Sequence, residues 1–149
     1  MRSGVPLRSR LVEVIASLQT GELRYGSGCI VAGRTVLTAA HVVAGAQQVS
    51  VRGPDKRILL CAPLDPAFVG HPTDIAIGPD LALVEIQDPE VDLPGIGLAR
   101  LDRDSPEGEL VDHCHAWGYP EFAEKPDPHT SGACTRETVD AAGVVPVGS

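Results

Sequence analysis

The stretch Gly26-Ser27-Gly28-Cys29-Ile30-Val31, followed after a Gly33-Arg34 turn by Thr35-Val36-Leu37-Thr38-Ala39-Ala40-His41-Val42-Val43, decides the fold. Two short apolar runs with β-branched residues flank the turn, the pattern of a hairpin of buried strands. The second run leads straight into Ala39-Ala40-His41. Two alanines leave nothing bulky over the imidazole, and an Ala-rich segment after a strand can close into a single helical turn. The pattern predicts a histidine held in place where a strand ends. A lone histidine near apolar residues is more often structural, so the functional reading rests on the residues around it.

Outward from the hairpin, the composition is that of an all-β domain. Sixteen glycines and thirteen prolines are spread through the 149 residues between many short apolar runs, and no helix-length periodic segment interrupts them. A sandwich or barrel with one moderate core is the expectation. Leu11–Leu18, Gln48–Arg52 and Arg57–Ala62 read as further strands. A formal charge of −8 opposes attraction to nucleic acid or an anionic membrane. One Trp, two Tyr and two Phe offer no stacking platform for bases, so both partners are excluded. The basic stretch Met1–Arg10 leads into an apolar run broken by Glu13, too polar for a signal peptide core, and no segment approaches membrane-spanning length. The expected location is cytoplasmic. Cys29, Cys61, Cys114 and Cys134 are scattered, without zinc spacing or the density of a disulfide scaffold.

Taken together, Gly26-Ser27-Gly28, an apolar strand, Thr38-Ala39-Ala40-His41 and two valines resemble the histidine motif of the trypsin/chymotrypsin-like serine peptidases. The resemblance implies an all-β double barrel, a protein or peptide substrate, no cofactor and no metal. It also implies a His-Asp-Ser triad with His41 as general base. A serine hydroxyl is a poor nucleophile at neutral pH, so it needs an imidazole to take its proton and a carboxylate to fix the tautomer. The aspartate motif of the family, Asp followed by apolar-Ala-apolar, occurs at both Asp74 and Asp80. Gly78-Pro79 stops a strand begun at Asp74, because proline lacks the ladder N–H, whereas Leu81 to Ile86 runs on unbroken. Asp80 is therefore the choice and Asp74 the fallback. The separation of 39 positions from His41 to Asp80 leaves room for two or three strands of one barrel. Secreted members of the family commonly pair a cysteine after the histidine with one in the preceding strand. Here Cys29 lies in that strand but Val42 follows His41, which fits a reducing compartment.

Ser27, between glycines, is not read as a nucleophile. A nucleophile elbow has a helix after it, whereas a strand follows Ser27, and the glycines let backbones approach closely. Residues 11–88 are expected to form the first barrel, 89–107 an acidic, proline-rich linker, and 108–149 the start of a second barrel. Within these, Leu98–Leu101 connects the barrels, and a strand ends at Gly118-Tyr119-Pro120. His113 and His115, two apart, would share a strand face; without further ligands they read as solvent-facing residues rather than metal ligands. Glu121–Pro128 reads as an acidic loop. No serine has the Gly-x-Ser-Gly context of the family nucleophile. Ser131 precedes Gly132 but has His129 where the glycine belongs, Ser149 has Val147 two before it, and Cys134 lacks the glycines too. Domains of this kind run to about 200 residues. The expectation is thus an N-terminal portion covered by the resemblance from Leu11 to Pro120: first barrel complete, second truncated, inactive alone, with further domains C-terminal to it left open. Two competing readings are a non-catalytic binding or regulatory module of the same shape and a metal-dependent hydrolase using His113 and His115.

Overall fold

The computed structural model describes residues 4–74, 76–97, 99–101, 110–119, 135–142 and 144–146. The alternating apolar runs become β1 (Leu11–Ser17), β2 (Leu23–Ala32), β3 (Thr35–Thr38), β4 (Gln48–Arg52), β5 (Ile58–Leu60) and β6 (Ala82–Glu85). They form one antiparallel sheet in the order β5-β4-β1-β2-β3-β6. The sheet curls until its edges meet. Ala62 N–H donates to the Glu85 carbonyl at 2.7 Å and Gln87 N–H to the Leu60 carbonyl at 2.9 Å, either side of a Cys61–Ile86 bridge. Backbone groups that an open sheet would leave unpaired are satisfied in this way. This is the all-β, trypsin-like barrel expected from the sequence.

The interior is filled by small β-branched side chains, Val12, Val14, Val36, Val49, Val51 and Val84 among them, with Ile30 and Ile86. Such side chains suit the narrow interior of a small barrel. Gly28 is part of the same fit: a Cβ there would stand 2.7 Å from a methyl of Val36 and 2.9 Å from one of Val14. Gly33 makes the β2–β3 turn with φ of 54°, where a side chain is strained.

Two charged residues are buried against this apolar trend. Glu13 points away from the valine core and lies opposite Arg52 on β4 and Ser27 on β2. Arg52 Nη2 reaches Glu13 Oε2 at 3.0 Å, with both side chains almost wholly buried. Leu7–Arg10 makes one helical turn, α1, and buried Arg10 donates to the Ile30 carbonyl at 3.1 Å and the Pro94 carbonyl at 2.6 Å.

Beyond the barrel lie β7 (Ala99–Leu101), β8 (Leu110–Gly118), β9 (Thr135–Ala142) and β10 (Val144–Pro146), paired as β8–β9 and β7–β10. The connector expected at Leu98–Leu101 contains a strand, and its partner is the apolar triplet Val144–Pro146. β8 has a bulge between Val111 and Cys114. The side chains of His113 and His115 lie outside the described residues, as do Ser131, Cys134, Ser149 and the loop at 121–128. β8 lies against β1, and Tyr119 N–H at its end donates to Ser27 Oγ at 2.6 Å. No helix among the described residues is long and apolar enough to cross a membrane.

Candidate active site

β3 ends at Thr38 and the chain closes into the expected single turn, α2 (Ala40–Val43). Ala40, Val42 and Val43 are buried and plug one end of the core, which leaves His41 as the residue of the turn that faces out. The seat for this turn is Gly26. A Cβ at that position would lie 2.5 Å and 2.9 Å from the two γ-methyls of Val42. Thr38 Oγ1 donates to the Ser27 carbonyl at 2.8 Å, which ties the same stretch of β2 to the residue entering the turn. Arg24, also on β2, donates through Nη1 to the carbonyls of His41 at 3.0 Å and Ala44 at 2.9 Å.

Asp80 reaches this turn through strand register. β3 and β6 are antiparallel with Thr38 opposite Ala82, so the residues following Thr38 and those preceding Ala82 emerge at the same end of the pair. Asp80 Oδ1 accepts the His41 backbone N–H at 2.8 Å, and Oδ2 lies 2.6 Å from His41 Nδ1. A carboxylate at that distance accepts, so Nδ1 carries the proton and Nε2 is left with its lone pair outward. The His41 side chain is 62% exposed, so this outer edge of the ring is open to a reacting group. The hydrogen bond from the His41 ring, then that from its backbone N–H, hold the Asp80 carboxyl below the usual carboxylate range.

Asp74 is placed differently. The strand expected from it is a turn: its carbonyl accepts Ile77 N–H at 3.1 Å and its Oδ1 accepts Ala76 N–H at 3.0 Å. It shapes the tip of a loop whose ends are closed by Gly70 N–H to the Leu81 carbonyl, 2.8 Å, and His71 N–H to the Pro79 carbonyl, 3.2 Å. The structure thus brings His41 to Asp80 and gives Asp74 local work.

Ser27 sits in the strand, as its glycine neighbours implied, and its hydroxyl receives the Tyr119 N–H. Cys29 and Cys61 carry free thiols. Burial pushes the Cys61 thiol up to about 11, and burial raises that of Cys29 against the opposing charge of Arg10, so neither offers a thiolate nucleophile at neutral pH. Among the described residues no three His, Cys, Asp or Glu side chains are grouped to hold a metal ion. Arg24 is the residue of this site that sequence reasoning missed. An arginine in a strand gives no local sign that it reaches a turn 17 residues on.

A barrel with an imidazole and a carboxylate so paired at the mouth of two adjacent strands defines a class found among peptidases. The profile of the trypsin-like peptidase domain family matches residues 26–144, and the chain belongs to that family. Among solved structures it is similar to the Rv3671c protease from M. tuberculosis in its active form, at 20% identity and a TM-score of 0.56. It is also similar to the HtrA-type protease AlgW solved with a tripeptide, at 25% identity and a TM-score of 0.58. Each comparison covers 89% of this chain, but the chain spans 47% of the first protein and 36% of the second. No curated protein sequence matches it.

Proposed function

We propose that the chain carries the base and the orienting carboxylate of a serine endopeptidase, His41 and Asp80. The observation that carries this reading is the 2.6 Å contact between Asp80 Oδ2 and His41 Nδ1 beneath an exposed ring, in a member of a peptidase family. In the reaction, Nε2 of His41 takes the proton of the attacking serine hydroxyl and later gives it to the leaving amine. Asp80 holds the Nδ1–H tautomer and stabilises the imidazolium formed in between. The serine and the oxyanion hole belong to a Gly-x-Ser-Gly turn, a pattern that occurs nowhere in these 149 residues. In this reading residues 11–88 are the first barrel, 89–107 the connection and 108–149 part of the second barrel, and the 149 residues alone cleave nothing. The substrate is a protein or peptide. Work inside the cell is supported by Val42, which stands where secreted members of the family commonly carry the partner for a cysteine at the place of Cys29.

The test compares casein hydrolysis by the 149-residue chain with hydrolysis by its full natural reading frame. The expected result is no cleavage by the former, and cleavage by the latter that His41→Ala abolishes. Cleavage by the 149 residues alone would overturn the claim of inactivity. Cleavage by the full frame that survives His41→Ala would overturn the role of His41.

A further inference from the structure

The one-turn helix α2 is too short to hold a side chain by itself. Forming a first turn fixes several dihedral angles for one hydrogen bond, and a four-residue helix never recovers that cost by propagation. Its C-terminal carbonyls also lack donors of their own. Among the described residues no backbone N–H donates to the His41 carbonyl: Ala44 N–H returns to Ala40, and Ala46 N–H to Val43. Yet His41 is the residue on which the proposed chemistry depends. Its backbone N–H is held by Asp80. Its carbonyl is held by a different strand.

We infer that Arg24 is a positioning residue for His41, a cationic clamp from β2 that fixes the backbone of the base from the side opposite Asp80. One guanidinium nitrogen, Nη1, donates to the His41 carbonyl at 3.0 Å and to the Ala44 carbonyl at 2.9 Å, so it spans the exit of the turn. Two residues further along the same strand, Gly26 receives Val42, which locks the turn in depth. Arg24 and Gly26 thus hold α2 from one strand while Asp80 holds it from the loop just before β6. The two clamps carry opposite charge. The carboxylate takes the N–H and the guanidinium takes the C=O of the same residue, so each is a charge-assisted bond of the stronger kind. With its carbonyl free, the turn can unwind from its C-terminal end. The ring then loses the 2.6 Å register with Asp80 although Asp80 itself is intact.

The inference rests on the peptidase reading for its catalytic meaning, but its test needs no activity. Hydrogen exchange of backbone amides and the downfield Nδ1 proton of His41 are measured by NMR on the 149-residue chain as wild type, Arg24→Ala and Arg24→Lys. In Arg24→Ala the His41 amide is expected to exchange about 10-fold faster, a typical loss for hydrogen bonds to a charged group near the surface. The Nδ1 proton is expected to broaden, while core amides such as Val14 and Val51 change less than about twofold. Arg24→Lys keeps a cationic donor and is expected to recover part of the protection. An Arg24→Ala spectrum with His41 unchanged overturns the inference. So does a loss shared equally by the core amides, because Arg24 would then stabilise the barrel at large. A wild-type spectrum without the downfield proton overturns the His41–Asp80 pairing instead, and the amide comparison still decides the role of Arg24.

Discussion

Gly26→Ala places a methyl carbon 2.5 Å from one γ-methyl of Val42 and 2.9 Å from the other. Carbon atoms in contact sit about 3.5–4.0 Å apart, so Val42 must retreat by roughly 1 Å or more. Val42 is the neighbour of His41 in a single turn, and the retreat moves His41 with it. A shift of that size carries contacts that are now 2.6 Å and 2.8 Å to the limit of hydrogen bonding. Overpacking of this kind costs about 1–3 kcal/mol. Replacing a glycine also restricts the unfolded chain, which returns about 0.4–1 kcal/mol where the backbone conformation suits alanine. The net expectation is a loss of about 1–2 kcal/mol. The assay is urea unfolding followed by circular dichroism, run on Gly26→Ala, Val42→Ala and the pair together. Val42→Ala removes both clashing methyls, so the double variant should be about 1–2 kcal/mol more stable than the sum of the single losses predicts. Strict additivity, or a Gly26→Ala protein more stable than wild type, would refute the argument that Gly26 is the seat of the histidine turn.

Two further outcomes follow from the charged groups. Glu13→Gln leaves the Arg52 guanidinium buried without its anion, and removing one partner of a desolvated pair costs about 3–5 kcal/mol. A urea midpoint that barely moves would mean that water reaches the pair. For Asp80, the folded carboxyl is held below its unfolded value, so its contribution to stability is complete above the ordinary carboxylate range and is lost as pH falls through the lowered value. The part of the stability difference between wild type and Asp80→Asn that comes from the carboxylate charge should therefore disappear as the pH is taken down through the acid range. A difference unaltered down to the acid limit would exclude the carboxylate charge as its source.

The parts of this structure that were legible in the sequence are those encoded locally. The β2–β3 hairpin follows from two apolar runs around Gly33-Arg34, and the turn after it from Ala39-Ala40. The preference for Asp80 over Asp74 used a local rule about proline, and the geometry agrees on the partner of His41 for a different reason. No strand starts at Asp74; Asp80 is carried to His41 by the β3–β6 register. What the sequence did not disclose depends on distant partners. Glu13 interrupts an apolar run and gives no sign of an arginine 39 residues away that would accompany it into the interior. Ala99–Leu101 and Val144–Pro146 are strands only because each has the other. Arg24 is the clearest case, since nothing in Leu23-Arg24-Tyr25 points to the far side of the hairpin.

The Thr38–Ala82 register has a consequence for how this architecture can vary. The imidazole and the carboxylate meet because β3 and β6 are neighbours, not because of the length of chain between them. The loop from Gly70 to Leu81 is pinched shut at its base by two backbone hydrogen bonds, so residues added at its tip need not reach the strand junction. Lengthening such a loop is thermodynamically mild, about 0.6 kcal/mol for each doubling. The interval between the two residues is thus a free variable. Related chains can grow or shed surface there, and acquire new contacts with it, while the pair itself stays fixed.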